Sequence, residues 1–198
     1  MKYFKLADKI IKLKEADLKL RDTLIKEGRL FEGYDKEMEA LHIQHADGLN
    51  EIIDKIGFPT IDKVGKDANN ATWFIIQHAI SRPKFMRKCL LLLTDAASRG
   101  HADKTHVAYL SDRIAVFEGR LQLHGTQFDW DENEELNPLP YDDLMKVNQR
   151  RKELQLNTLE GQTQLMRERA KAENETPPID YDEKKREYND WRRRVGWM

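Results

Sequence analysis

The sequence predicts an all-α protein, an irregular orthogonal bundle of about six to eight helices with one short extended segment near residues 121–128. Three observations predict it. Apolar residues recur at spacings of three and four along most of the chain, the period that lines one face of a helix. Glycine, proline and small polar residues interrupt the pattern at helix-length intervals. Only at Leu121-Gln122-Leu123-His124 does the period change to alternation, followed by Gly125-Thr126.

A first helix is expected over residues 3–30. Phe4, Ile11, Leu18 and Ile25 recur every seven residues, Leu6, Leu13 and Leu20 do the same, and Ile10 and Leu24 fill the gap. Gly28 and Gly33 bracket its end. A second helix over 34–56 carries Met38, Leu41, His45, Leu49 and Ile52, and Gly57 stops it. Phe58-Pro59-Thr60 is a connector. Residues 67–80 are apolar on most sides, which predicts a central helix, with Gln77 and His78 interrupting it. Pro83 opens a fourth helix, with Ser81 or Arg82 near its cap. Asp103 can cap a fifth, whose stripe is Val107, Leu110, Ile114, Phe117 and Leu121. Asp129 to Glu135 is an acidic loop, and Asn137-Pro138-Leu139-Pro140 a rigid connector. Two shorter helices follow, at about 141–154 and 158–173, the second capped by Asn157 or Thr158. Tyr181, Tyr188, Trp191 and Val195 suit a last helix docking by an aromatic edge. The expected organisation is an N-terminal helical pair over 1–56, a core over 57–173 and an extension over 174–198.

Composition excludes several classes. One cysteine, Cys89, rules out an intrachain disulfide and a four-cysteine zinc site. The 34 basic and 35 acidic residues leave a net charge of -1, which gives no footprint for nucleic acid. The longest apolar run, Cys89–Leu93, is far short of a membrane span, and the first thirty residues are too charged for a signal peptide. A cytoplasmic protein with no membrane or nucleic-acid partner is expected, and a small polar ligand or peptide is the partner that fits. No phosphate loop, zincin pattern or nucleophile elbow is present, and neither cofactor nor metal is expected.

Polar residues in apolar settings carry the functional expectation. His78 interrupts an apolar helix, where an unpaired imidazole would cost about 2 kcal/mol or more. It is a core histidine bonded to backbone, or a general acid or base. Gln122, His124, Thr126 and Gln127 crowd one short irregular stretch beside Gly125. On the fifth helix Asp112 faces away from the apolar stripe and Arg113 lies at its edge. His42 and His45, three residues apart, need a third ligand to hold a metal; His45, His78 and His124 are a weaker combination. His101 and His106 are expected at the surface. Arg192-Arg193-Arg194 stands beside Trp191 and Trp197 in a tail helix.

The order Gly57-Phe58-Pro59-Thr60, Gln77-His78-Ala79, Asp112-Arg113 and Gln122-Leu123-His124-Gly125-Thr126-Gln127 resembles an uncharacterised bacterial domain family of unknown function. The resemblance covers about residues 57–160. His124 stands where the family pattern has tyrosine. The resemblance implies no known activity. It picks out the same polar residues that packing leaves unexplained, and so implies a shared polar pocket. In one reading His78, Asp112, Arg113 and His124 are catalytic and Gln77, Gln122, Thr126 and Gln127 hold substrate, in a hydrolase- or transferase-like enzyme. In the other, the same residues form a structural polar network in a non-enzymatic binding module.

Overall fold

The first helix, α1 (Phe4–Lys26), buries Ala7, Ile10, Asp17 and Leu24. The row Phe4, Leu18 and Ile25, expected on the packed stripe, is exposed instead. The computed structural model describes residues 2–29 and 34–198. Leu30 and Gly33, which enter the expected end of the first helix, lie outside the described residues. The chain divides into two compact units, Met1–His106 and Val107–Met198.

In the first unit, α2 (Lys36–Ile56) starts at Asp35, whose carboxylate accepts from the amides of Glu37 and Met38. That cap satisfies two of the orphan N–H groups at the helix start. Gly57 ends it at φ 70°, which a side chain would strain. A one-turn helix, α3 (Ile61–Val64), follows the connector Phe58-Pro59-Thr60. Lys63 Nζ donates to the carbonyls of Ile56 and Phe58, pinning the turn between α2 and α3. The Lys63 carbonyl accepts from the amides of Lys2 and Tyr3, so α1 begins against α3. The central helix, α4 (Lys66–His78), buries Ala68, Ala71, Thr72, Ile75 and Ile76. Asn69 Nδ2 donates to the Pro59 carbonyl at 2.8 Å and holds its start. Pro83 opens α5 (Pro83–Ser98) as expected. Ser81 does not cap it, because its hydroxyl donates to Glu39 on α2.

The second unit takes most of α6 (Lys104–Phe117), with Leu110, Ile114 and Phe117 buried. Asp103 accepts from the Thr105 amide, as its expected capping role requires. The irregular stretch 121–127 follows. Regular strands then appear where an acidic loop and a rigid connector are expected. β1 (Phe128–Trp130) pairs antiparallel with β2 (Leu136–Pro138), Asp129 opposite Asn137. Pro138 sits at the ribbon's end, where a missing N–H costs little. α7 (Leu144–Glu153) and α8 (Leu159–Ala172) form a hairpin, with the Thr158 hydroxyl capping α8 at Gly161. α9 (Tyr181–Val195) docks through Arg192, which donates to the Phe117 carbonyl at 2.6 Å, and through Trp191 and Trp197 against the Phe117 ring. The architecture is thus an all-α bundle, with one two-stranded ribbon among the described residues. No described helix is long and apolar enough to cross a membrane.

Candidate functional site

Three helices of the first unit bring their polar side chains to one point. α1 supplies Asp17, α2 supplies His42, and the C-terminal turn of α4 supplies His78. Asp17 is 1% exposed. Its Oδ2 lies 3.1 Å from His78 Nδ1 and 2.8 Å from His42 Nε2. The His42 contact lacks hydrogen-bond alignment, so Nε2 has no hydrogen-bond partner, and neither does Asp17 Oδ1. Buried polar atoms left this way are uncommon and mark sites that ask for an explanation. Burial acts to raise the Asp17 pKa, but the contacts and charge of His42 and His78 outweigh it. The carboxyl is held well below the usual carboxylate range. It is ionised at neutral pH.

The rings fit around this carboxylate. His78 packs edge-on against Phe74 at 4.1 Å between ring centres and lies 4.9 Å from the His42 ring. The His78 side chain is 29% exposed, whereas His42 is nearly sealed. His78 is therefore where the cluster meets solvent. His45, one helical turn on from His42, is buried behind the cluster, and desolvation pushes its pKa down.

A chain of hydrogen bonds runs back from His42. Its Nδ1 lies 2.7 Å from the Tyr34 hydroxyl. Tyr34 is bonded in turn to Ser81, and burial and nearby carboxylates raise its pKa. Ser81 donates to Glu39 Oε1 at 2.5 Å. This order, Glu39 to Ser81 to Tyr34 to His42, fixes proton positions by the chemistry of its end, since a carboxylate only accepts.

Of the eight residues the sequence singles out, Gln77 and His78 lie in the first unit and the other six in the second. Gln77 is buried on α4. In the second unit Asp112, expected to face away from the packed stripe toward solvent, is 1% exposed. The stretch after α6 covers that face. Asp112 Oδ1 accepts from the Leu123 amide at 2.9 Å, and Oδ2 accepts from the amides of His124 and Thr126, both at 3.1 Å, and from the Thr126 hydroxyl. The His124 ring stands 3.4 Å from the same carboxylate. Gln122 is fully buried. Its Nε2 donates to the carbonyls of Gln127 and Leu139, and its Oε1 accepts from the Gln127 amide. Arg113 Nε donates to Gln127 Oε1 at 2.9 Å, and desolvation lowers its pKa to about 10, which leaves it charged. The buried Arg151 of α7 donates to the His124 and Gly125 carbonyls. Asp112 and Arg113 thus reach from α6 to the loop that carries the other four, and the Asp112 and Gln122 side chains are committed to backbone. A cleft of about 570 Å³ between α7 and α8, lined among others by Leu144, Asn148 and Thr158, includes none of them.

A family model matches residues 5–172, from α1 to the end of α8. The chain belongs to DUF6624, a family of unknown function. The DUF6624 match takes in the two N-terminal helices, which the motif resemblance over 57–160 did not reach. Asp17, His42 and His78 all fall inside it, as does the Asp112 loop, and α9 falls outside. No curated protein and no solved structure matches the chain.

Sequence reasoning missed Asp17, Tyr34, Glu39 and Ser81 as site residues. One signal was there for Asp17. It stands seven residues from both Ile10 and Leu24, on the row that proves to be the packed one. His106, expected at the surface, stacks at 4.2 Å on Trp73, and burial lowers its pKa.

Proposed function

We propose that this chain is an enzyme of hydrolase or group-transfer type, acting on a small polar or peptide substrate, with Asp17, His42 and His78 as its reactive centre. One observation carries the reading: a buried, ionised carboxylate oxygen meets two imidazoles, one of which reaches solvent. The outermost imidazole, His78, is open, where a substrate or a water can arrive. Fixed negative charge beside imidazole is an arrangement that orients a ring and moves protons near neutral pH. A single cysteine, buried on α5, suits a cytoplasmic setting.

The second reading, a structural network, is favoured for the loop of the second unit. Asp112 and Gln122 there support the backbone of 122–127, Thr126 and Gln127 bond to Asp112, Arg113 and each other, and in this proposal they act by holding the loop's shape.

One pair of variants tests both parts. Turnover is measured on a panel of nitrophenyl esters, phosphate esters and short peptides. His78→Ala is expected to lose turnover at least 100-fold with little change in melting temperature. Asp112→Ala is expected to lose about 3 kcal/mol of stability, from amides left without an acceptor. An active His78→Ala enzyme, or one that merely unfolds, would overturn the assignment of the centre.

A further inference from the structure

We infer that Asp17, His42 and His78 form a binding site for a divalent first-row transition-metal ion. The inference rests on taking these three residues as the reactive centre, and it adds the ion that the centre is built for. One ligand atom from each residue lies within 4.8 Å of the other two, close enough to share a single cation. Two imidazole nitrogens and a carboxylate oxygen are a donor set that suits zinc, iron and their neighbours rather than magnesium or calcium.

Proximity alone would not carry this. The direction of the hydrogen-bond chain bears on the His42 ring. Glu39 accepts, so the Ser81 proton is spent on it. With the Ser81 proton on Glu39, the Tyr34 hydroxyl is the member of the Tyr34–Ser81 pair that has a proton to give. The Tyr34 oxygen must accept from His42 Nδ1–H. In neutral imidazole that leaves Nε2 with a lone pair and no proton. This lone pair stands 2.8 Å from a carboxylate oxygen, itself only an acceptor. Two acceptors so close repel unless a positive charge joins them. A proton on Nε2 would make the contact an ion pair that lacks the alignment of a hydrogen bond. A metal ion set to one side of both atoms needs no such alignment. The idle Asp17 Oδ1 is a further available donor atom. A ligand histidine commonly gives its other N–H to an oxygen that fixes its tautomer, and Tyr34 stands in that place. The partly exposed His78 marks the entry path.

The test reads binding, with no reference to turnover. The full chain is stripped with a chelator and titrated with Zn²⁺ by calorimetry, and separately with Co²⁺ by visible absorption. One equivalent of each is expected to bind, with bands of nitrogen-ligated cobalt, and the ring protons of His42 and His78 are expected to shift on zinc addition. His42→Ala and His78→Ala each weaken binding at least 100-fold. Ser81→Ala leaves every ligand in place and only frees the tautomer, and it weakens binding roughly 10-fold to 100-fold. No binding by the unaltered chain, or binding unchanged in both histidine variants, overturns the site. Metal bound with no turnover on any substrate leaves the site standing and removes the enzyme reading. Turnover indifferent to chelator, with no metal bound, does the reverse.

Discussion

Asp17 shows how a single residue can be hidden in a legible helix. α1 is dense in Lys, Asp and Glu, and one more aspartate there reads as part of a solvated face. Its register with Ile10 and Leu24 says otherwise, but two apolar rows compete on that helix, and only packing decides which is buried. Asp112 misled in the opposite way. The apolar stripe of α6 accounts for one side of the helix, and the polar stretch that covers the other side has no hydrophobic signature. His106 is a third case, and it carries a prediction. Burial beside Trp73 lowers its pKa below the ordinary 6.5, against a smaller opposing pull from Asp103. A histidine with a depressed folded-state pKa contributes stability that is whole above the unfolded value and lost as pH falls through the folded one. In proton NMR its midpoint should lie below 6.5. His106→Phe, which keeps the stack, should flatten the acid side of the stability curve in that window. A midpoint above 6.5 would reverse the sign of the argument.

At the scale of elements, the eight longer helices among the described residues were legible because each repeats its apolar period over at least ten residues. α3 was not, since four residues hold no period. β1 and β2 were not, since three residues each hold no alternation, and acidic residues with a proline disguise them. The polar loop 122–127 was legible as a cluster but not as a structure: its order comes from its own Gln122 and from Asp112 and Arg151, distant residues meeting its backbone. Gly125 is where that order is tightest. It adopts φ +61°, and a Cβ there would stand 2.6 Å from Leu159 Cδ1 of α8. Gly125→Ala should cost about 2–4 kcal/mol, by overpacking together with a left-handed backbone. Chemical denaturation measures it. Measured in a Leu159→Ala background, Gly125→Ala should cost less, leaving the backbone share, whereas full additivity would mean the two residues do not press on each other.

For the whole molecule, fold class was legible in the sequence, and the partners of its polar residues were not. The expected single pocket drew on His78 and on the Asp112 loop together, because adjacent anomalies in a string invite one explanation. The coordinates give His78 its own partners on α1 and α2, and the loop its own in the second unit. Each unit holds a fully buried aspartate, one collecting imidazoles and the other backbone amides. The stack of Trp73 on His106 has a spectroscopic consequence. Trp73 is the first unit's tryptophan, while Trp130, Trp191 and Trp197 belong to the second. A protonated imidazole 4.2 Å from an indole quenches its fluorescence. A chain with Phe at 130, 191 and 197 should therefore dim on acidification, with the midpoint NMR finds for His106. A Trp73→Phe chain should keep its brightness over the same range, so each unit can be watched by its own emission without a label.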